Sequence, residues 1–333
     1  MVWPAMSAPD PGGPSPETSL DEFGQIAAFF RPLTRGEPGA LDLLDDAALL
    51  PVQPGEEIVV TQDCVVEGVH FPPELSPDDV AARFLRVNLS DLAAKGAEPF
   101  AWLQSIAWST TWPVARRRAF AESLAREAEI FNLSLLGGDT VATPGPLTIS
   151  GTFFGRCPEG AMVRRSGAQP GDLLLVSGPI GDGFLGLRAL IGEVQDTSGE
   201  LRRKFQRPRP RLDLREVLRA CAAAAADISD GLIADARHIA KASGCGVRLD
   251  LERIPLSSPG RVWLEQQADI GDALMKLASG GDDYELAIAA SPKDGARLEA
   301  AGCTVAGEFI DGVPEVRLNG ALMPAGQGGW RHP

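Results

Sequence analysis

Aspartate recurs at the ends of short apolar runs, beside glycine or another small residue, along most of the chain. A carboxylate in that position can hold a hard divalent cation while a phosphate group approaches the backbone closely. Mg²⁺ usually takes only one or two carboxylates per ion together with phosphate oxygens, so several such aspartates predict a cluster of ions and phosphoryl chemistry. The segments are LLDDAALL (43–50), VVTQDCVVEGVHF (59–71), VNLSDLAAKGA (87–97), LLGGDT (135–140), ADISDGL (226–232) and ASGGDDYEL (278–286).

Each of these aspartates also has a purely structural interpretation, because aspartate is common in turns and helix caps. Asp91 could pair with Lys95 one helical turn further on. Asp227 could cap a helix that begins near Ser229, and the dipole of that helix would favour Asp230 as well. The metal interpretation therefore depends on the combination of segments.

Size and charge exclude several classes of protein. The 333 residues are 44% hydrophobic and carry a net charge of −14, which predicts a globular chain of about two domains and argues against nucleic-acid binding. No run approaches the ~20 apolar residues of a membrane span. The five cysteines are scattered without a C-x-x-C pair, so we expect no disulfide framework or zinc site and a reducing cytoplasm. The sequence of residues 1–20 predicts a disordered tail and lacks the features of a secretory signal peptide.

Apolar periodicity predicts α/β structure in both halves. We expect helices over 20–30, 77–95 and 114–131, paired strands over 47–52 and 57–61, a strand over 102–108, and strands ending at LLGGD and at PLTISGTFF. These elements predict one layered unit over 21–156. A second α/β unit, over 157–333, begins with the strand-like GDLLLVSG, and its basic segment 202–211 reads as an exposed connection.

Other motifs are weaker. Gly181 to Gly186 match G-x-G-x-x-G, but no strand ending in an acid follows at the spacing of a dinucleotide site, so a tight turn into a close-packed helix is favoured. No P-loop is present, and the three histidines suit neither a metal site nor a serine triad. His70 could touch a substrate or be an ordinary loop residue, and Arg165 could clamp a phosphoryl group or be a solvated charge.

In their order and spacing, GVHF after the Asp63 segment, VNLSDLAAKGAEP, LLGGDT, RSGAQPGD, ADISDGL and SGGDDYEL resemble the thiamine-monophosphate kinase family. That family belongs to the aminoimidazole ribonucleotide synthetase superfamily. The resemblance implies an α/β fold with an ATP-binding N-terminal domain and a C-terminal α/β domain, and a homodimer. It also implies direct transfer of a phosphoryl group from ATP to thiamine monophosphate with several Mg²⁺ ions.

The resemblance further implies roles for individual residues. The metal ligands would be Asp46, Thr61, Gln62, Asp63, Asp91, Asp139, Asp227 and Asp230. The nucleotide would contact Gly138, Asp139, Arg165 and Ser229, and thiamine monophosphate would contact His70, Asp282 and Trp330. Asp63, Asp139, Arg165 and Asp230 would carry catalysis, by neutralising charge and positioning the reactants rather than by forming a phosphoenzyme.

Three positions depart from the family pattern. Leu44 stands where a glycine usually precedes the paired aspartates, Gln62 where a threonine is usual, and Asp282 where a glutamate is usual. Two alternatives therefore stay open. One is another ATP-dependent enzyme of the superfamily, and the other is a non-catalytic descendant that binds nucleotide or cations.

Overall fold

The structure is a computed structural model, and it describes residues 21–322. The chain enters through helix α1 (Glu22–Gln25), a π-helical turn (Ile26–Phe30) and two 3₁₀ segments (Arg31–Thr34 and Pro38–Leu43). The predicted strand over 47–52 is wrong, because this segment is irregular and its Leu49 amide donates a hydrogen bond to Gly39 O at 2.8 Å. Pro51 interrupts the run and has no amide hydrogen to donate to a ladder.

The first sheet has four strands in the order β1-β4-β2-β3. Its strands are β1 (Glu56–Val66), β2 (Glu98–Ser109), β3 (Ser134–Thr143) and β4 (Thr148–Pro158). β4 is antiparallel to both of its neighbours, whereas β2 and β3 are parallel. The connection between those two parallel strands is helix α3 (Val114–Ile130), which matches the helix predicted over 114–131.

Helix α2 (Pro77–Ala94) confirms the predicted helix over 77–95. Its start is fixed by the Ser76 side chain, which accepts a hydrogen bond from the Asp79 amide, and by Pro77 in the first turn. Helices α2 and α3 pack on one face of the first sheet. There Phe153 stacks on Trp102 at 6.2 Å between ring centroids and meets Phe84 edge-on at 5.8 Å.

The opposite face of the first sheet, which we call the outer face, carries exposed side chains in this chain. Side chains alternate along β1, so Val60, Gln62 and Cys64 are exposed while Val59 and Val65 are buried toward α2. Val60 is 55% exposed and Val141 of β3 is 52% exposed. The mixed sheet thus has one face covered by helices and an outer face that is exposed along β1 and partly covered over the other strands by residues 40–50.

The second sheet has seven strands in the order β11-β10-β7-β9-β5-β8-β6. The strands are β5 (Leu173–Val176), β6 (Ala224–Asp227), β7 (Gly246–Asp250), β8 (Leu286–Ala290), β9 (Thr304–Ile310), β10 (Glu315–Leu318) and β11 (Ala321–Leu322). The helices are α4 (Asp182–Leu190), α5 (Glu200–Gln206), α6 (Arg215–Cys221), α7 (Leu232–Ser243), α8 (Ser258–Glu265), α9 (Ile270–Ser279) and α10 (Pro292–Ala300), with 3₁₀ turns at Leu212–Leu214 and Leu251–Arg253.

The motif at Gly181 is a tight turn into helix α4, as predicted. Gly181 has φ +88°, and a Cβ on Gly183 would lie 2.1 Å from Asp282 O, so the backbones approach too closely for any side chain. The prediction that 202–211 is an exposed connection is wrong. Phe205 and Arg211 are buried, because Phe205 in the last turn of helix α5 packs against the Arg83 guanidinium and Arg211 forms an ion pair with Glu285 at 2.8 Å.

Two sheets with separate cores confirm the predicted two-domain α/β architecture. The division after residue 156 stays a prediction, as does the tail over 1–20, which lies outside the described residues. Helix α2 also touches strand β6 of the second domain, so it lies between the two units. Within 21–322, no helix is long and apolar enough to cross a membrane.

Candidate active site

Carboxylates from both domains converge beside helix α2. Asp63 comes from β1, Asp91 from α2, and Asp227 from the last position of β6. The Thr61 hydroxyl donates a hydrogen bond to Asp91 Oδ2 at 2.5 Å, and the Asp63 amide donates one to Asn88 Oδ1 at 3.1 Å. These bonds lock β1 to α2, so the alternation along β1 turns Thr61 and Asp63 toward the helix.

The carboxylates of this cluster oppose one another's ionisation. Burial and repulsion from Asp91 raise the pKa of Asp63 to about 6. Burial and repulsion from Asp91 and Asp235 also raise the pKa of Asp227 well above its usual value. A set of oxygen donors whose negative charges repel one another at the junction of two domains fits the ligand preference of Mg²⁺.

Lys95 and Arg165 border the carboxylates with positive charge. The Lys95 ammonium donates a hydrogen bond to Ala225 O at 2.8 Å. Burial, followed by repulsion from Arg165, lowers the pKa of Lys95. The described residues show no direct ion pair between Lys95 and Asp91, although the charge of Asp91 partly offsets the lowering of the Lys95 pKa. Lys95 instead ties α2 to β6.

A second acidic group follows β6 in the chain. Ligand atoms of Asp230, Asp235 and His238 all lie within 4.8 Å of one another. Asp235 Oδ2 accepts hydrogen bonds from the amides of Asp230 and Gly231, both at 3.1 Å. Burial and repulsion from Asp230 raise the pKa of Asp235 to about 7. The Ser229 carbonyl accepts a bond from the Asp282 amide at 2.9 Å, which joins this group to the 282–285 loop.

Asp46 and Asp139 line a different part of the molecule, a cleft of about 710 Å³ that also includes Leu44 and Gly138. Its edge strand places Asp139 opposite Ser105 of β2. A Cβ on Gly138 would lie 1.9 Å from Gln104 O, so only glycine keeps β2 and β3 at this separation.

The predicted metal ligands thus divide into two groups on the two sides of the first sheet. Gln62 lies on the outer face, where its amide donates a hydrogen bond to Ser150 Oγ at 3.2 Å. Thr61 and Asp63 point the other way. One ladder row nevertheless links the groups, because Asp63 pairs with Gly151, Gly151 with Gln104, and Gln104 with Gly138.

His70 and Asp282, the predicted contacts of thiamine monophosphate, are brought together by Arg83 of helix α2. His70 Nδ1 accepts a hydrogen bond from the Val66 amide at 3.0 Å, and its carbonyl accepts one from Arg83 Nε at 3.2 Å. Arg83 also forms an ion pair with Asp282 Oδ1 at 2.5 Å. Trp330, the third predicted contact, lies outside the described residues.

The 282–285 loop places four consecutive polar side chains in different contacts. Asp283 accepts hydrogen bonds from the Gly181 amide at 2.8 Å and the Gly183 amide at 3.0 Å. Burial raises the pKa of Asp283 to about 8. The carboxylate of Glu285 receives Lys204 at 2.7 Å and Arg211 at 2.8 Å. The hydrogen bonds of the Asp283 carboxyl to the Gly181 and Gly183 amides hold this loop against the start of helix α4.

Sequence reasoning did not single out Arg83, Asp235 or Glu285, and it considered Lys95 only as a partner of Asp91. The helical period does contain a signal for Arg83, because positions 83, 87, 90 and 94 fall on one side of α2. Lys95 follows one residue later, where its side chain reaches the second domain. No comparable signal identifies Glu285, whose partners Lys204 and Arg211 lie more than seventy residues earlier in the chain.

Comparison with known proteins agrees with the two-domain fold. Residues 44–157 match the family model for the N-terminal domain of AIR synthase related proteins, and residues 169–317 match the model for its C-terminal domain. The chain is 51% identical to the thiamine-monophosphate kinase of Caulobacter vibrioides, over 93% of this chain and 90% of that protein.

Two solved structures have the same fold. The thiamine-monophosphate kinase of Stenotrophomonas maltophilia superposes with a TM-score of 0.76 at 34% identity, covering 88% of this chain and 97% of that one. A structure described as AaThiL complexed with AMPPCP and TMP gives a TM-score of 0.75 at 28% identity, covering 93% of this chain and 96% of that one. These matches, together with the convergent carboxylates, establish that the chain belongs to the thiamine-monophosphate kinase family of AIR synthase related proteins.

Proposed function

We propose that this protein transfers the terminal phosphoryl group of ATP to the phosphate of thiamine monophosphate, which completes the synthesis of thiamine diphosphate. The observation that carries the proposal is the meeting of Asp63, Asp91 and Asp227 at the domain junction, in a chain 51% identical to a thiamine-monophosphate kinase. In the transfer, the bond from the γ-phosphorus to the β–γ bridging oxygen breaks. A bond from a phosphate oxygen of thiamine monophosphate to that phosphorus forms, and ADP leaves.

We further propose that the carboxylates hold several Mg²⁺ ions. The residues that would hold them are Asp46, Thr61, Gln62, Asp63, Asp91, Asp139, Asp227 and Asp230. The ions supply Lewis-acid charge that neutralises the phosphate oxygens of the two anionic reactants. The two groups of ligands on either side of the first sheet agree with more than one ion, since each Mg²⁺ takes few carboxylates.

Groups of the protein itself position the nucleotide and the acceptor substrate. Gly138 and Asp139 line the cleft, and the lack of a side chain on Gly138 keeps β3 close to β2 there, which supports binding of the nucleotide at this edge of the sheet. Ser229 and the exposed Arg165 lie in the second domain, where Arg165 can pair with phosphate oxygens. Asp282 and His70 face the acceptor substrate in this proposal. Aligning two phosphate groups and neutralising their charge accounts for most of the catalysis such a transfer needs.

We also propose that the protein is a homodimer in the cytoplasm. The open outer face of the first sheet, with Val60 and Val141 more than half exposed, supports association of two copies. The reducing compartment is supported by the cysteines, all five of which lie within the described residues and are free of disulfides.

The activity is tested by incubating the purified protein with ATP, Mg²⁺ and thiamine monophosphate and separating the products by chromatography. We expect equal amounts of thiamine diphosphate and ADP, and neither after the metal is chelated. ADP formed equally with and without thiamine monophosphate would contradict the proposed acceptor. Binding of ATP without any product would instead favour a non-catalytic descendant.

A further inference from the structure

Arg83 is a buried cation that joins three separate parts of the chain. Its side chain is 3% exposed. Nε donates to His70 O at 3.2 Å, one terminal nitrogen to Phe205 O at 2.6 Å, and the other to Asp282 Oδ1 at 2.5 Å. The guanidinium also lies 3.9 Å from the centroid of the Phe205 ring. Both edges of the planar group and one of its faces are therefore occupied, which fixes its orientation.

Asp282 receives two donors on a single oxygen. Besides Arg83, the Tyr284 hydroxyl donates to Oδ1 at 3.1 Å. Among residues 21–322, no hydrogen bond reaches Oδ2, and the side chain of Asp282 is 28% exposed. The carboxylate is thus anchored through one oxygen while the other stays available to a ligand.

The backbone at this point is held in an uncommon conformation. Asp282 has φ +62° and Tyr284 has φ +51°, both in the left-handed region that side-chain-bearing residues seldom adopt. Such a conformation persists only where surrounding contacts determine it, and it is concentrated at ligand sites. The bonds from Arg83 and Tyr284 to Asp282 are contacts of that kind.

We infer that Arg83 is a positioning residue for the acceptor substrate, acting through Asp282 and through the loop that carries His70. The inference rests on the proposed function, in which these two residues face thiamine monophosphate. An aminopyrimidine donor or a cationic thiazolium ring of the acceptor is complementary to the carboxylate oxygen that Arg83 leaves available. Arg83 belongs to the N-terminal domain and Asp282 to the C-terminal domain. Because Asp91 of the carboxylate cluster lies on the same helix as Arg83, the pair also fixes the acceptor site relative to that cluster.

The test is steady-state kinetics of Arg83→Lys, with KM measured separately for thiamine monophosphate and for ATP. Lysine keeps the charge but lacks the planar fork, so it cannot satisfy all three acceptors together. We expect KM for thiamine monophosphate to rise roughly 10- to 100-fold, the effect of losing a charge-assisted hydrogen bond, with KM for ATP nearly unchanged. Asp282→Asn should also raise KM for thiamine monophosphate. The double variant should raise this KM little more than the more affected single variant does.

Arg86→Lys is the matched control. Arg86 lies on the same helix and also reaches the second domain, through Pro208 O at 3.2 Å, but it pairs with Glu127 instead of Asp282. This variant should lower the melting temperature without changing KM for thiamine monophosphate. Tyr284→Phe, which removes the other donor to the same oxygen, gives a second measurement should Arg83→Lys fold poorly. We expect it to raise the same KM by a smaller factor.

The outcomes test the substrate contact of Asp282 separately from the positioning role of Arg83. If Asp282→Asn leaves KM for thiamine monophosphate unchanged, the proposed contact with substrate is wrong and the role of Arg83 is overturned with it. If Asp282→Asn raises that KM but neither Arg83→Lys nor Tyr284→Phe does, only the positioning role is overturned. A parallel rise in both KM values, or a loss of stability alone, would make Arg83 merely structural.

Discussion

Thr61 and Asp91 are joined by a 2.5 Å hydrogen bond from the threonine hydroxyl to the carboxylate, which ties strand β1 to helix α2. The bond holds Asp91 next to Asp63, where burial, and after it the repulsion between the two carboxylates, raises the pKa of Asp63. The strand and the helix thus keep like charges together in the folded chain. A cation bound between them would relieve that repulsion.

Asp63→Asn should abolish turnover without unfolding the protein. We expect kcat to fall at least about 100-fold, because a metal-bound carboxylate contributes several kcal/mol to stabilising the transition state. Free of metal at pH 8, the variant should be at least as stable as the parent, because amide replaces a carboxylate whose pKa is raised to about 6. Product chromatography and thermal melting measure the two effects.

Asp139→Asn should lose activity to a similar extent, and Asp213→Asn is a matched control for both variants. Asp213 is a half-exposed carboxylate that pairs with Arg209 and Arg211, neither of which contacts the carboxylate cluster. Activity near that of the parent in Asp63→Asn or Asp139→Asn would contradict the assignment of that residue to the metal site.

Mg²⁺ should stabilise the protein against heat in a way that depends on Asp227. Binding to the folded state alone adds about 2.7 kcal/mol to the free energy of unfolding when the ion is at 100 times its dissociation constant. Asp227→Asn should reduce this rise in melting temperature, while Asp213→Asn should leave it intact. The assignment of Asp227 fails if Mg²⁺ raises the melting temperature of parent and Asp227→Asn equally.

Asp283 should make the metal-free protein less stable as the pH rises. Its pKa is raised from 3.8 to about 8, so between these values the folded state binds the proton more tightly than the unfolded state. The contribution to stability is therefore complete below pH 4 and is lost as the pH rises through 8, with a slope of at most about 1.4 kcal/mol per pH unit. Urea unfolding from pH 4 to 8 with a chelator should show a shallower decline in Asp283→Asn. An unchanged slope would show that Asp283 titrates normally.

Gly138→Ala should destabilise the protein and raise KM for ATP, whereas Gly137→Ala should have little effect on either quantity. The new Cβ would lie 1.9 Å from Gln104 O at position 138 but 3.3 Å from the Leu103 side chain at position 137. The first variant must push β2 and β3 apart, at a cost of about 1–3 kcal/mol in unfolding free energy and a higher KM for ATP. Equal effects of the two substitutions on both measurements would argue against a close backbone approach at Gly138.

Val60→Asp should convert the proposed dimer into a monomer, whereas Val262→Asp should not. Both valines are 55% exposed, but Val60 lies on the outer face of the first sheet and Val262 on helix α8. A charge buried without a partner in an apolar interface is costly. Light scattering after gel filtration measures the mass. A dimer that survives Val60→Asp would place the interface elsewhere.

Strong periodicity made helices α2 and α3 predictable, and the tight turn at Gly181 followed from the glycine spacing. The strand predicted over 47–52 was wrong because an apolar run alone does not show whether its amides have partners, and Pro51 removes one. The prediction that segment 202–211 is exposed was wrong because it depended on local charges alone. Its charges suggested solvent, but the partner that buries Arg211 is Glu285, far along the chain.

The site shows the same limits. The aspartates of the domain junction could be grouped from sequence because each lies beside apolar and small residues, although only Asp227 ends a strand, and Asp63 and Asp91 lie inside β1 and α2. The alternation of a strand puts Gln62 and Asp63 on opposite faces of the sheet, but the predicted strand over 57–61 stopped before these residues, whereas β1 continues to Val66. Local sequence did not reveal Arg83, because its role depends on a carboxylate 199 positions away.

Helix α2 sets a fixed distance inside the molecule. It carries Arg83 beside Asp282, the proposed contact of the acceptor, and Asp91 in the carboxylate cluster, and Lys95 follows where the helix ends against the second domain. At 1.5 Å per residue, the twelve steps from Arg83 to Lys95 span about 18 Å. A helix neither stretches nor bends easily, so α2 would hold the proposed acceptor contacts at a fixed distance from the carboxylate cluster. A one-residue insertion would rotate everything beyond it by about 100° and misalign the two reactants, although every individual side chain would still be present.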